Sequence, residues 1–128
     1  MYRETNPNPV GRRVEDCAVR AVALALNLDW DTTYLLIALN GMQMGDIMER
    51  NGVWGSVLRQ HGFYRKALPD TCPDCYTVRD FCEDHPKGTF ILGLHEHTVC
   101  AIDGDWLDIW DSGDEPVEYF WYRKDETK

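Results

Sequence analysis

The sequence has little of what a secreted or membrane-bound protein needs. Its first residues, MYRETNPNPVGRRVEDC, contain no apolar stretch of the kind that secretory signals carry. No later apolar run approaches the roughly 20 residues that span a bilayer as a helix. We therefore expect a cytoplasmic protein that does not act at a membrane.

Basic residues are also scarce. Thirteen Lys and Arg stand against 22 Asp and Glu, which gives a formal net charge of −9. Such a charge disfavours nucleic acid and anionic lipid as main partners and suits a neutral or basic substrate. The 128 residues, of which 44% are hydrophobic, are enough for one domain, 1–128, with a core of its own.

Cysteine is present in an odd number, which argues against a complete disulfide framework. Without a secretion signal, reduced thiols are the better interpretation, and one of them is then free for chemistry. The five are Cys17, Cys72, Cys75, Cys82 and Cys100.

The first half of the chain has helical character. Residues 1–13, with two Asn-Pro pairs, predict an extended arm rather than a regular element. Asp16 is expected to cap a helix from Cys17 to about Leu26, which is apolar almost all round except for Arg20. Three further stretches predict helices: one capped by Asp29 or Asp31 and closed by Gly41, one or two short helices within 46–62, and one over about 77–84.

The second half of the chain is predicted to form strands. The runs FILGL, HTVCAID, WLDIW and VEYFWY are short, β-branched and aromatic, and turn residues separate them. The Asp103-Gly104 pair between two of these runs predicts a hairpin. Helices followed by an antiparallel sheet indicate the α+β class, and residues 123–128 are expected to form a flexible tail.

Cys17 stands where a reactive thiol is favoured. Unpaired N–H groups and the helix dipole stabilise a thiolate at a helix start, and the Cys17 N–H could also bind an oxyanion. The plainer interpretation is a small buried side chain, the commoner role of a free cysteine. A thiol nucleophile needs an imidazole base and a group that orients it. The second half of the chain offers candidates for both, which favours the catalytic interpretation of Cys17.

His97 is the candidate base, and two carboxylates compete to orient it. A two-residue Asp103-Gly104 loop puts Asp108 on the same sheet face as His97, whereas a three-residue loop sets Asp111 opposite it. Asp108 is preferred. His95 would point to the same face and is the rival base, but it lies nearer the frayed end of the strand.

These segments together resemble a known group. GRRVEDCAVRAVALAL, TVRDFCEDHPKGTFIL and H–TVCAIDGDWLDIWDS are similar to small papain-like proteins of bacteriophages and their bacterial hosts. The order Cys, His, Asp also resembles the wider papain-like superfamily, including the NlpC/P60 cell-wall peptidases. That resemblance implies a papain-like fold, a thiol protease activity, and an orienting residue shortly after the hairpin glycine, which favours Asp108.

One departure from the papain-like pattern concerns the oxyanion. Members of that superfamily often carry a Gln about six residues before the nucleophile, and Gly11 and Arg12 occupy that neighbourhood here. Asn8 or Asn6 could supply the amide from the arm, although Asn-Pro pairs are more often turn residues. Without such a donor, turnover could be slow or absent.

A competing pattern has the ligand types of a zinc site. Cys72-x-x-Cys75 followed by Cys82-x-x-His85 offers three thiols and an imidazole, but the pairs stand close together for a zinc-binding module. The alternative places Cys82 in the core with Val78 and Phe81.

The sequence thus predicts a cysteine hydrolase that cleaves an amide or peptide bond through an acyl-thioester on Cys17, with His97 as base. It requires no cofactor or metal, and its partner is a protein or peptide substrate. The alternatives are a catalytically silent papain-like binding or effector module and a zinc-stabilised interaction domain.

Overall fold

A computed structural model describes residues 1–124. Of the flexible tail expected over 123–128, the last four residues lie outside this part, and Arg123 still belongs to a strand. The helices are α1 (Cys17–Leu26), α2 (Trp30–Met44), α3 (Asn51–Gln60) and α4 (Val78–Asp84). The strands are β1 (Tyr2–Glu4), β2 (Phe63–Ala67), β3 (Thr89–Leu94), β4 (His97–Ile102), β5 (Asp105–Asp108) and β6 (Tyr119–Arg123).

Local signals place several helix ends where the sequence predicts them. α1 has the predicted bounds, and Asn27 ends it in the left-handed conformation. The Asp29 carboxylate accepts from Thr32 N–H at 2.7 Å and so caps α2. α4 begins with a capping box between Thr77 and Asp80, in which each side chain binds the other residue's N–H.

Two glycines, one of them the expected end of α2, lie inside helices and close to neighbouring groups. The prediction that Gly41 closes α2 is wrong, because the helix continues to Met44 and ends at Gly45. A Cβ on Gly41 would lie 3.0 Å from the Asp46 carbonyl oxygen. A Cβ on Gly55, within α3, would lie 2.9 Å from the Trp121 ring. Both positions need glycine for close packing rather than for a turn.

The six strands form one sheet in the order β1-β5-β4-β3-β6-β2. The sheet is antiparallel except at its edge, where β1 pairs in parallel with β5. The α+β class is therefore confirmed, with helices mainly in the first half and a mostly antiparallel sheet in the second. β1 was not expected, since the arm was predicted to be free of regular structure, and neither was β2.

The sheet separates two hydrophobic clusters. One contains α1, α2 and α3 residues with Ile91, Cys100 and Trp121 from the strands. The other packs α4 against side chains that include Phe90, Leu92 and Trp106. Burying each large apolar side chain contributes about 1.5–3 kcal/mol, so both clusters hold the helices to the sheet.

None of the helices in residues 1–124 meets the length and hydropathy needed to cross a membrane alone. α1 and α2 taken together meet that test, with a bend of 112° between them.

Candidate functional site

Cys17 is the first residue of α1 and lies half-buried where the helix end meets the sheet. Asp16 takes the N-cap position as predicted, but its side chain accepts no hydrogen bond from a helix N–H. The carboxylate instead binds Arg20 Nε at 2.8 Å and Trp30 Nε1 at 3.0 Å. The first N–H groups of a helix lack acceptors within it, so the start of α1 still favours a thiolate.

His97 begins β4 and links two groups. Its Nε2 lies 2.6 Å from Asp108 Oδ2, and its ring is also hydrogen-bonded to the Cys17 thiol. Because Nε2 faces Asp108, Nδ1 is the nitrogen left for the thiol. The ring of Trp110 lies 4.8 Å from the imidazole, centroid to centroid, and covers it from one side.

The register of the β4–β5 hairpin selects Asp108. Ile102 pairs with Asp105 and Cys100 with Leu107, so the loop is the two residues Asp103-Gly104, both with positive φ. The alternative prediction, a three-residue loop that sets Asp111 opposite His97, is wrong. The Asp111 carboxylate accepts from Trp106 Nε1 and from Gly113 N–H, each at 2.9 Å, and stabilises the following turn.

The rival base, His95, is not brought to the site. It lies exposed in the turn between β3 and β4, and it is not among the residues that line the cleft beside Cys17. His97 alone of the two contacts the thiol and the carboxylate.

A shorter β5 than the sequence predicts gives the thiol another hydrogen-bond donor. WLDIW was expected to be one strand, but β5 ends at Asp108 and pairs with β4 only as far as Cys100. Thr98 lies beyond this paired stretch, and its backbone N–H donates to the Cys17 thiolate. Arg13 binds the Ile109 carbonyl at 2.6 Å, where the chain leaves the sheet.

Arg20 is the functional residue that sequence reasoning missed. Its guanidinium lies between two carboxylates, with Nη1 3.0 Å from Asp108 Oδ1 and Nε 2.8 Å from Asp16 Oδ1. The three side chains are at most 8% exposed. The available signal was a single charge in an otherwise apolar helix, three residues after Cys17 and hence on the same helix face.

Two further donors complete the surroundings of Asp108. The Ile109 N–H donates to Oδ1 at 2.8 Å, and the Ser112 hydroxyl donates to Oδ2 at 3.3 Å. Asp108 is 1% exposed, so a carboxylate there needs all of these partners. With Arg20 and His97 they fix its orientation toward the imidazole.

These contacts shift the pKa values of the thiol and the imidazole in opposite directions. Burial raises the pKa of Cys17, but the hydrogen bond and charge of His97, the Thr98 N–H and the Arg20 charge lower it by more. Burial lowers the pKa of His97, but the hydrogen bonds and charges of Asp108 and Cys17 raise it to about 9. Both shifts move the pair toward thiolate and imidazolium.

The other two free thiols lie in surroundings that disfavour ionisation. Burial raises the pKa of Cys82 to about 11, and burial also raises the pKa of Cys100. Both side chains are at most 3% exposed. Cys17 is thus the one cysteine among the free thiols whose surroundings favour ionisation.

A cleft of about 950 Å³ opens beside Cys17. Its walls include five aromatic side chains, those of Trp30, Tyr34, Trp54, Trp110 and Tyr119. Three exposed acidic side chains, Glu15, Glu49 and Glu96, also line it. A cleft of this size and composition can hold several residues of a polypeptide.

Asn8 does not serve the site as an oxyanion donor. It does not line the cleft; its Nδ2 lies 3.4 Å from Asp16 Oδ2, and its Oδ1 accepts from the Val10 N–H. Asn6 is likewise bound within the arm, to the Arg12 carbonyl. Both amides are turn residues, which is the plainer of the two interpretations.

The four residues of the zinc hypothesis do not converge. Cys72 and Cys75 form a disulfide, so the expectation of reduced thiols is wrong for these two. Cys82 is buried in the cluster with Val78 and Phe81, while the His85 ring stacks on Phe81 at 3.9 Å. Within residues 1–124 no group of three or more His, Cys, Asp or Glu is placed to hold a metal ion.

Comparisons of the chain with models of protein families, with curated proteins and with solved structures found no match.

Proposed function

We propose that the chain is a papain-like cysteine hydrolase that cleaves an amide or peptide bond. One observation carries the proposal: an unbroken series of contacts from the Cys17 thiol through His97 to Asp108, with the thiol pKa lowered and the imidazole pKa raised. These are the nucleophile, base and orienting group that thiol hydrolysis needs.

In the first step the Cys17 thiolate attacks the substrate's carbonyl carbon and forms a C–S bond. The N–H groups at the start of α1, that of Cys17 first, are the donors available to the resulting oxyanion. The C–N bond then breaks, and the His97 imidazolium gives its proton to the leaving amine. The products are a free amine and an acyl-thioester on Cys17.

In the second step water resolves the thioester. Neutral His97 takes a proton from water, whose oxygen bonds to the acyl carbon as the C–S bond breaks. An acid leaves, and the thiolate and imidazolium are restored. Asp108, held by Arg20, stabilises the imidazolium in both resting and final states.

Alkylation by iodoacetamide tests the nucleophile. At pH 6.5 an ordinary thiol is only about 1% ionised, so Cys17 should be labelled faster than Cys82 and Cys100 by tenfold or more. His97→Ala should slow Cys17 at least tenfold, and Asp108→Asn should slow it less. Equal labelling of the three thiols, unchanged in His97→Ala, would refute the proposal.

A second candidate is a silent module that keeps the thiol–imidazole pair without turnover. The observation in its favour is that the Asn8 amide is bound to Asp16 and so is not available to an oxyanion. A p-nitrophenyl ester separates the two. A burst of one nitrophenol per chain with no steady phase indicates the silent module, and continued release indicates a hydrolase.

A further inference from the structure

The outward face of α2 is unusually apolar for a surface helix. Leu35, Leu39 and Met42 are 61%, 48% and 71% exposed, and their spacing of four and three residues puts them on one face. We call these three residues the α2 stripe. Ile37 and Gly41, which are buried, form the opposite face that packs on the protein. Within residues 1–124, six of the eleven large exposed apolar side chains fall between 34 and 47.

The helix that carries the α2 stripe also contributes to the cleft wall. Tyr34, one residue before Leu35, is 42% exposed and lines the cleft wall. Its ring lies 5.1 Å from that of Trp30, which in turn binds Asp16, the neighbour of Cys17. Met48, just after α2, lines the cleft as well. α2 and the segment after it thus place apolar and aromatic side chains both on the outer surface and in the wall of the cleft beside the nucleophile.

The distribution of charged residues indicates what kind of polypeptide would bind across the α2 stripe and the cleft. No charged residue occurs from 32 to 45, although 27% of the chain is charged. At the cleft the exposed charges are Glu15, Glu49 and Glu96 against Arg13, whose guanidinium is bound to the Ile109 carbonyl. A second copy of the chain would bring another net charge of −9 to an acidic cleft edge, which disfavours self-association.

We propose that the α2 stripe is an exosite for the substrate, which is a polypeptide with an apolar segment joined to Lys or Arg residues near the scissile bond. This inference rests on the proposed function. The apolar segment covers Leu35, Leu39 and Met42, and the basic residues enter the acidic edge of the cleft. Exposed apolar surface of this extent marks interaction sites in soluble proteins.

A pair of peptides with the same electrophile tests the exosite. One is a 16-residue Leu/Lys peptide with helical periodicity and a terminal chloroacetyl group; the other replaces each Lys by Glu. Alkylation of Cys17 by the Leu/Lys peptide should be at least tenfold faster than by chloroacetamide. Leu35→Glu/Leu39→Glu should remove most of this enhancement, even though its added negative charge attracts Lys. Tyr64→Glu, which adds a charge at an exposed residue of β2, should retain it.

The two proposals fail in different ways. If chloroacetamide shows no preference for Cys17, the hydrolase proposal fails. Binding of the Leu/Lys peptide without its electrophile to Cys17→Ala, followed by fluorescence anisotropy, then tests the exosite alone. Equal enhancement with the Leu/Glu peptide, or an enhancement unchanged in the double variant, overturns the exosite. So does a dimer, seen by analytical ultracentrifugation, that the double variant dissociates.

Discussion

Replacing Arg20 by methionine removes the cation that lies between Asp16 and Asp108 while keeping a long side chain in α1. Both carboxylates then stay buried, with side chains 8% and 1% exposed; Asp16 loses its charged partner, and Asp108 keeps the His97 imidazolium but loses the guanidinium. Removing one partner of a buried ion pair costs about 3–5 kcal/mol, because the remaining charge is left without compensation. For a chain of this length, that cost corresponds to a fall in Tm of roughly 10–20 °C.

The same substitution should change the reactivity of Cys17. Without Arg20, the Asp108 carboxylate keeps the Ile109 N–H and the Ser112 hydroxyl as donors, but it loses the guanidinium that lies 3.0 Å from Oδ1. The Arg20 charge is itself one of the causes that lower the pKa of Cys17, so its removal raises that pKa toward the ordinary range. The pH profile of Cys17 alkylation should therefore shift to higher pH, which a purely structural role for Arg20 would not require.

Urea unfolding and alkylation together measure both effects. Arg50→Met is the matched control, since Arg50 is 72% exposed and lies 3.9 Å from Asp46; it should cost less than about 1 kcal/mol. Arg20→Lys should be intermediate, because a single ammonium replaces the guanidinium fork that reaches both carboxylates. If Arg20→Met unfolds within 1 kcal/mol of the unaltered chain with the same alkylation profile, the argument for Arg20 is wrong.

The structure predicts the outcomes of three other substitutions. The pKa of His97 is raised to about 9 in the folded chain. The imidazolium therefore contributes its full stabilisation below the pKa of a histidine in the unfolded chain, and this contribution is lost as the pH rises through about 9. His97→Ala should thus lose more stability at pH 6 than at pH 10, and an equal loss in urea unfolding at both contradicts the charged pair. A Cβ on Gly93 would overlap the Tyr119 ring, so Gly93→Ala should cost about 1–3 kcal/mol. Gly52→Ala, in open space within α3, should instead stabilise by about 0.5 kcal/mol; similar thermal melts for both variants would contradict the packing argument.

The parts of the site that follow from local chemistry could be predicted from the sequence. Asp103 and Gly104 both adopt positive φ, as a two-residue hairpin loop requires, and this loop length sets the register. The register in turn puts Asp108 beside His97; the sequence favoured Asp108 but left the loop length, and with it Asp111, open. The start of α1 at Cys17 likewise depends on residues within one turn of it.

The parts that depend on distant partners could not be predicted. β1 exists because Tyr2–Glu4 finds the open edge of β5, more than 100 residues away in the chain. β2, with the sequence FYRKA, buries only Phe63, so it lacks the alternation that identifies a strand. Gly41 was expected to end α2, because its close packing against the Asp46 carbonyl oxygen is known only from the folded chain.

The arrangement around Arg20 depends both on local sequence and on a distant partner. The local sequence determines that Arg20 lies in α1. Its partner Asp108 lies 88 residues away, so the role of this single charge in an apolar helix is recognised only in the folded chain. Cys17 and Arg20 lie three residues apart on one face of a rigid helix, and each contacts one end of the His97–Asp108 pair. A displacement of α1 would therefore disturb the thiol–imidazole contact and the support of the carboxylate together. This shared dependence is the physical reason for burying an arginine at this position.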